Sequence, residues 1–255
     1  KMTDPYAFGG FLRNNPLELV RARSIEIDVP AQAEIVMEGF IDPASDPVDV
    51  GPVANATGYY SPAEKVMPLN LSAVTHRANP IWHALIPAAP PSEADFFAQA
   101  TERVFLPLLK LMVPELVDIH FPPAGAGRYL MFVSIHKSYP QQARRVVNAL
   151  WSLESLLSLK LIVVADDDVN VHDEQQVWYR VSTNLNPGRD LIHAEGPGDD
   201  DDHSAAVQGI GHKLGLDATR KSAAEGHPRE WPSALKMPAE ILERVQSRLT
   251  DLGLS

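Results

Sequence analysis

The sequence predicts an α/β protein that begins with a partial split β-barrel segment, continues as an α/β sandwich domain and ends in a terminal amphipathic helix. Three observations indicate this order. Apolar and polar residues alternate with a period of two before residue 87, which is typical of half-buried strands. Helical spacing begins after Ser92. Near the end of the chain, Ile241, Val245 and Leu249 recur four residues apart on one helical stripe.

Residues 1–90 are predicted to form the partial split-barrel segment. Alternating runs predict five strands, at 17–21, 24–29, 34–41, 69–76 and 81–86. The last two are expected to pair antiparallel across a turn at residues 78–80. A proline-rich stretch at 87–91 marks the boundary, because proline neither continues a strand ladder nor fits inside a helix.

Residues 91–195 are predicted to form the α/β domain. Ser92 is a suitable N-cap, so a helix to about Met112 is expected. The other predicted elements are strands at 116–121, 129–136, 159–165 and 191–194, and helices at 141–153 and 174–182. Residues 196–237 are expected to be a linker and extended tail, with a mobile acidic stretch at 196–202. A C-terminal oligomerisation helix is predicted over 238–255.

Composition argues against several classes of function. The net charge of -11 disfavours nucleic acid and anionic membranes as partners, because both attract clustered Lys and Arg. The absence of cysteine excludes disulfides, Cys-bound zinc and thiol nucleophiles. No apolar run of about twenty residues could span a membrane. The sequence therefore predicts a soluble, cytoplasmic protein.

Residues 34–60 organise the first half of the chain. In the strand that opens this stretch, Glu34 and Glu38 lie on the same face. They could bind a cation, but no further oxygen ligand lies near them in sequence, and a solvated or Arg-paired face is expected instead. Gly51-Pro52 and Gly58 then predict sharp bends.

The same stretch carries a family resemblance. EIVMEGFIDP at 34–43, followed by Gly51-Pro52 and TGYY at 57–60, resembles UbiD-type carboxy-lyases. The resemblance implies prenylated flavin mononucleotide as cofactor and aromatic or α,β-unsaturated acids as substrates. Further matches follow in the same order at 75–77, 102–107, 163–171 and 211–221. Because the matches extend from about Tyr6 to about Trp231, we expect the chain to be homologous to this family.

Three positions depart from the pattern that the resemblance implies. The family has two acids five residues apart before its Gly-Tyr pair, the second being the proton donor, where this chain has Val50 and Asn55. Neither valine nor an amide can act as a general acid. Asp49 adjoins Val50, but neighbours on an extended chain face opposite ways. The family's metal-binding Glu is replaced by Pro5, which offers no side-chain ligand.

Other residues have both functional and structural interpretations. Lys160 matches the lysine that contacts the flavin in the family, although it could be a solvated lysine at a strand edge. Asp166, Asp167 and Asp168 follow a buried strand, where ligands often bind in α/β sheets. Capping of the following turns is favoured over metal binding for these three. The acidic run 199–203 is expected to be a solvated linker.

Two hypotheses of function follow. In the first, the chain is a non-catalytic subunit that assembles with a UbiD-type catalytic chain, as a homo- or hetero-oligomer through its C-terminal helix. In the second, it is the C-terminal half of a split decarboxylase, with Asn55 and a water replacing the acid. The resemblance covers only the C-terminal half of the family's pattern, so a partner chain is expected to complete the barrel. Prenylated FMN, a divalent metal and K+ or Na+ are expected only with that partner. The simultaneous loss of both acids and the metal ligand favours the first hypothesis.

Overall fold

The computed structural model describes residues 4–253 and divides the chain into two compact units. Unit 1 comprises the chain up to residue 104, residues 121–130 and residues 197–211. Unit 2 comprises residues 105–120, residues 131–196 and the chain from residue 212 onward. Across the described residues, no helix has the length and apolar character needed to cross a bilayer.

Unit 1 begins with a helix that the sequence did not predict. Helix α1 spans Pro5–Arg13, and the Asp4 carboxylate caps it by accepting the N–H groups of Tyr6 and Ala7, each at 2.9 Å. Proline fits the first helical position because its missing N–H would have no partner there. Asn14 ends the helix in the left-handed conformation.

The strands of unit 1 form four separate two-stranded antiparallel sheets. The pairs are β1 (Leu19–Arg21) with β2 (Asp28–Pro30), β3 (Ile35–Ile41) with β8 (Leu69–His76), β4 (Val48–Val50) with β7 (Glu64–Val66), and β5 (Val53–Ala54) with β6 (Tyr60–Ser61). Within the described residues these strands do not close into a barrel. The α/β class is thus confirmed, whereas the split-barrel geometry stays a prediction.

The predicted pairing of residues 69–76 with 81–86 is wrong. Strand β8 pairs with β3 instead, placing Ile35 opposite His76 and Ile41 opposite Leu69, with a bulge after Glu38. Residues 81–86 form no strand. Strand β3 offers β8 a partner of almost equal length, whereas prolines at 80 and 87 flank the shorter run and cannot donate ladder hydrogen bonds.

The centre of unit 2 is a five-stranded sheet with the strand order β12-β13-β11-β10-β9. Its strands are β9 (Leu116–His120), β10 (Leu130–Ile135), β11 (Leu161–Asp166), β12 (Leu191–Pro197) and β13 (Ile210–Asp217). Strand β9 is antiparallel to β10, and β11 is parallel to β13. The side chains of β10 and β11 form much of the core, with Met131, Phe132, Ile162 and Val163 fully buried.

Strand β13 lies inside the segment predicted to be a linker and extended tail, and here the structure differs from the prediction. Its residues include two glycines and a lysine, so the strand lacks a clear apolar alternation. Gly215 is required by close packing: a Cβ atom there would lie 2.9 Å from Val147 Cγ1 and 3.1 Å from Ile192 Cβ. Because close packing requires glycine at position 215, this interior strand lacks the apolar pattern from which strands are predicted.

Within residues 4–253, four further α-helices follow α1 in chain order. They are α2 (Glu93–Met112), α3 (Gln142–Trp151), α4 (Glu174–Asn184) and α5 (Ala239–Asp251). Helix α2 begins one residue after its predicted cap and contains Pro107. Helix α3 buries Val146, Val147 and Leu150. Helix α5 buries none of its residues within this chain, and its amphipathic role stays a prediction.

We predict that Gly215→Ala destabilises the protein by about 1–3 kcal/mol, because the added methyl group overpacks the space between Val147 and Ile192. Urea unfolding followed by circular dichroism measures the change. Gly196→Ala is the matched control, since a Cβ atom at Gly196 of β12 meets no atom within 4 Å. Equal unfolding free energies for the two variants would contradict the packing argument.

Candidate functional site

Asn55 occupies a tight turn in unit 1, next to the short strands β5 and β6. Its backbone N–H donates to the Tyr59 carbonyl at 3.0 Å, and its carbonyl accepts the N–H of Gly58 at 3.1 Å. The side-chain Oδ1 accepts the backbone N–H of Thr57 at 2.9 Å and also its hydroxyl. Nδ2 donates to Ser61 Oγ at 2.9 Å. Both ends of the amide are therefore used to hold the turn.

The hydrogen-bond chain continues from Ser61 into the acidic segment. Ser61 Oγ donates to Asp201 Oδ1 at 2.8 Å. Arg128 pairs with Asp199 at 3.0 Å and with Asp201 at 3.2 Å. Burial would lower the pKa of Arg128, but the two carboxylates outweigh it and raise the pKa. Segment 199–203 is thus an ion-paired part of unit 1, which differs from the predicted mobile, solvated linker.

Val50 and Pro5 take structural positions in unit 1. Val50 lies opposite Glu64 in the β4–β7 pair and is 43% exposed, and the neighbouring Asp49 lies opposite Lys65. Pro5 is the first residue of α1. A cavity of about 640 Å³ adjoins α1, but neither Val50 nor Asn55 lines it. None of the three substituted positions therefore supplies an ionisable side chain.

Glu34 and Glu38 of the β3 region serve different structural roles. Glu34 accepts the N–H of Ile81 at 3.0 Å and pairs with Arg77 at 2.7 Å, and these two contacts lower its pKa. The expected Arg-paired arrangement is thus confirmed for Glu34. Glu38 is only 2% exposed, and its carboxylate accepts the N–H groups of Arg23 at 2.9 Å and Ser24 at 2.6 Å. It therefore anchors the β1–β2 connection.

In unit 2, Lys160 directly precedes strand β11. It is half-buried, and its carbonyl accepts the N–H of Leu214 in β13 at 2.8 Å. The neighbouring Lys213 was not predicted as a site residue. Its Nζ donates to the carbonyls of Leu157 and Leu159, and burial lowers its pKa. Lys213 therefore fixes the segment that leads into Lys160.

The aspartate that ends β11 and the two that follow it tie together loops at the end of the sheet. Asp166 accepts the N–H of Arg220 at 2.9 Å, and burial raises the pKa of its carboxyl. Asp167 accepts a bond from His136 at 2.8 Å. Asp168 pairs with Arg220 and also with Arg180. Among the described residues, the side chains thus bond to residues of α4 and of the loops after β10 and β13, and not to the turns that directly follow β11, which differs from the predicted capping role.

Two lysines near these aspartates, the buried Lys221 and the partly buried Lys137, organise residues 217–221. Lys221 Nζ donates to the carbonyl and a carboxylate oxygen of Asp217, both at 3.0 Å. Lys137 Nζ donates to Thr219 Oγ1 at 3.0 Å and pairs with Glu225 at 2.7 Å. Sequence reasoning missed both lysines as organising residues, because the partners of Lys137 lie far away along the chain and those of Lys221 include backbone carbonyls.

Glu225 combines burial with three strong hydrogen-bond donors. Burial would raise its pKa, but bonds from Lys137 and from the N–H groups of Gln141 and Ser222 lower it to about 2. Its carboxylate thus joins the second residue after β10, the start of α3 and the residues after β13. The ionised form is the one that stabilises this corner of unit 2.

The comparisons with known proteins define the class of protein to which the two units belong. Residues 1–90 match the family model described as the 3-octaprenyl-4-hydroxybenzoate carboxy-lyase Rift-related domain. Residues 95–218 match the model described as the 3-octaprenyl-4-hydroxybenzoate carboxy-lyase C-terminal domain. The chain therefore belongs to the UbiD family of carboxy-lyases.

Individual relatives agree with this family. The chain is 42% identical, over 95% of its length and 50% of the relative's, to an uncharacterized protein of Archaeoglobus fulgidus. The UbiD-class enzyme HmfF of Pelotomaculum thermopropionicum, solved in complex with FMN, is 31% identical with a TM-score of 0.76, over 96% of this chain and 54% of HmfF. Vanillic acid decarboxylase of Sedimentibacter hydroxybenzoicus in its closed form is 29% identical with a TM-score of 0.86, over 98% of this chain and 52% of the decarboxylase chain. The chain spans about half the length of the relatives it matches.

We predict that Glu225→Gln lowers the free energy of unfolding at pH 7 by roughly 2–3 kcal/mol. The folded-state pKa of about 2 lies below the ordinary 4.5, so the carboxylate stabilises the fold above about pH 4.5. That contribution falls as the pH drops from about 4.5 to about 2. Urea unfolding at several pH values across this range should show the wild type and the variant converging in acid.

The control for this experiment is Glu154→Gln, which changes an exposed glutamate in the same unit. It should alter stability by less than about 0.5 kcal/mol. A difference between Glu225→Gln and the wild type that stays constant from neutral pH to pH 2 would show that the ionised carboxylate is not the stabilising form.

Proposed function

We propose that this chain is a UbiD-type module without catalysis of its own, which assembles with a UbiD-type catalytic polypeptide acting on aromatic or α,β-unsaturated acids. The observation that carries the proposal is the role of the Asn55 side chain. Its amide bonds to Thr57 and Ser61 and holds a turn. An amide cannot deliver a proton near neutral pH, so the position that resembles the family's proton donor is structural here.

The other two substituted positions support the same proposal. Val50 is an apolar residue in the β4–β7 pair, and Pro5 begins α1. Asp4, next to Pro5, uses one carboxylate oxygen to cap the helix. The residues of this chain therefore do not fit a metal ion at the position of the family's glutamate, and we assign the metal and the K+ or Na+ site to the catalytic polypeptide.

One residue of this chain fits a role beside a flavin. HmfF was solved with FMN, and an evolved dimeric form of it with prenylated FMN. Lys160 is half-buried and held at the start of β11 by the β13 backbone, so its position is fixed before any cofactor binds. A prenylated flavin, when bound, supplies the electron sink for loss or gain of carbon dioxide. We propose that Lys160 contacts it only in the assembly.

Exposed apolar side chains support the assembly. Large side chains of the β3–β8 pair are more than half exposed; they are Met37, Phe40, Ile41, Leu69, Leu71 and Val74. Among the residues that the structure describes, each strand of this pair has one neighbour and therefore one unpaired edge. Large apolar surfaces with open strand edges are characteristic of interaction sites. We infer that a further UbiD-type polypeptide segment covers them.

A second candidate function is a split decarboxylase that is active once its other half is present. The observation that favours it is Asp201, which is joined to Asn55 through the Ser61 hydroxyl. In this candidate, Asp201 and a water provide the proton that Asn55 cannot. Loss of activity in the assembly on Asp201→Asn, with retention on Asn55→Ala, would favour this candidate over the first.

We predict that the isolated chain neither releases carbon dioxide from cinnamate-like or hydroxybenzoate-like acids nor exchanges them with labelled bicarbonate. Added prenylated FMN and Mn2+ should not change this result, because both acid positions and the metal position lack ionisable groups. Mass-spectrometric detection of label exchange provides the measurement. Val50→Glu combined with Asn55→Asp should also be inactive in the isolated chain.

Two results would contradict the non-catalytic proposal. The first is turnover of any such acid by the wild-type chain that disappears on Asn55→Ala. The second is rescue of activity in the isolated chain by the Val50→Glu and Asn55→Asp pair, which would mean that this chain already contains a complete pocket.

We also predict that replacing Ile241, Val245 and Leu249 of α5 with Ser reduces the oligomer mass and weakens capture of the catalytic polypeptide. All three side chains are partly exposed and lie on one helical stripe. Size-exclusion chromatography with light scattering measures the mass. The matched control replaces the α5 residues Glu240, Glu243 and Gln246 with Ser. An unchanged mass and unchanged capture after the apolar triple substitution would exclude α5 as the assembly element.

A further inference from the structure

Unit 2 contains two histidines and an aspartate that the proposed function does not use. Asp118 and His120 are two residues apart in β9, so both side chains lie on the same face of that strand. His172 lies in the connection between β11 and α4. The fold therefore brings together imidazoles from two segments that are more than 50 residues apart.

The two imidazole rings lie close to each other. Their centroids are 4.7 Å apart, and one ring nitrogen of His120 is within 4.8 Å of one of His172. Nε2 of His172 lies 3.0 Å from Asp118 Oδ2. His120 is buried, whereas the His172 side chain is 37% exposed. The pair is thus held by the protein on one side and reached by solvent on the other.

The connection that carries His172 is fixed before any ligand arrives. Val169 and Val171 are buried, and the N–H of His172 donates to Asn170 Oδ1 at 3.1 Å. Asp173 then caps α4 by accepting the N–H of Gln176 at 3.1 Å. Because the backbone on both sides of His172 is anchored, its ring is held near His120 with little freedom to lose on binding.

We propose that His120 and His172 bind a divalent transition-metal ion such as Zn2+, with Asp118 orienting His172. A neutral imidazole donates through one nitrogen and binds a metal through the other. When Nε2–H of His172 donates to Asp118, the lone pair is on Nδ1, which is the arrangement typical of metal-bound histidines. Two Zn–N bonds of about 2.0–2.1 Å require the two ligating nitrogens to lie within about 4 Å of each other, and ring nitrogens of the two histidines already lie within 4.8 Å.

The ligand chemistry selects the class of ion. Imidazole nitrogens suit Zn2+, Ni2+ and Cu2+, whereas Mg2+ and Ca2+ prefer oxygen ligands. The bound ion would join β9 to the connection after β11, and so it would act as a structural link within unit 2. The ion takes no part in the function proposed above for this chain, so the metal site and that function can be tested separately.

The test uses the full chain after chelation and removal of the chelator, with Zn2+ alone as the ligand. Titration calorimetry should give one Zn2+ per chain, and thermal unfolding should shift upward with Zn2+ but not with Mg2+. His172→Gln should weaken Zn2+ binding at least tenfold. Asp118→Asn should weaken it about 10- to 100-fold while leaving the stoichiometry unchanged. His193→Gln, an exposed histidine of β12 in the same unit, is the matched control and should bind as the wild type does.

Substitution of the buried His120 could unfold the protein, so the decision does not depend on it. The His172→Gln comparison and the visible spectrum of the Co2+ form, which reports nitrogen ligation, decide the question. A wild-type chain that fails to bind Zn2+, or that binds it equally well after His172→Gln, overturns the proposal. A loss of Zn2+ affinity on His193→Gln equal to the loss on His172→Gln also overturns the proposal.

Discussion

The end of the unit 2 sheet depends on charges that are buried in pairs. Lys137 with Glu225 holds the residues after β13 against those after β10, and Lys221 with Asp217 holds the turn that directly follows β13. Removing one partner of a buried pair destabilises the fold, because the other charge is left without compensation. The loops that carry Asp166 and Arg220 are therefore fixed by the same interactions that make this region stable. These ion pairs therefore also fix the positions of the polar side chains at this end of the unit 2 sheet.

The sequence predicted most of the regular elements because periodicity is a local property. The alternation before residue 76 predicted β3 and β8, and helical spacing predicted α2 and α3. It failed at β13, where Gly215 is selected for space between Val147 and Ile192 rather than for apolar area. It also failed at residues 81–86, because the choice of partner for β8 depends on competition between two strands and not on either strand alone.

The sequence singled out candidate site residues, but it did not predict their contacts. The resemblance singled out Asn55, Val50, Pro5 and Lys160, and the structure gives each a definite local role. The bond between Ser61 and Asp201 joins residues that are 140 positions apart, so no local pattern could predict it. For the same reason the acidic run 199–203 was interpreted as a linker. Its charge pattern carries no information about Arg128, the cation that neutralises it.

The turn at Asn55 also limits how an acid could return to that position. Ser61 has one hydroxyl proton, which it donates to Asp201, so toward residue 55 it can only accept a hydrogen bond. An amide nitrogen satisfies that geometry, whereas an ionised carboxylate would place an acceptor against an acceptor. A single Asn-to-Asp change would thus be opposed by its own neighbours. An ionised acid at residue 55 becomes compatible when the hydroxyl of Ser61 turns away from Asp201 and donates to residue 55 instead, so the hydrogen bonds of these three positions are coupled.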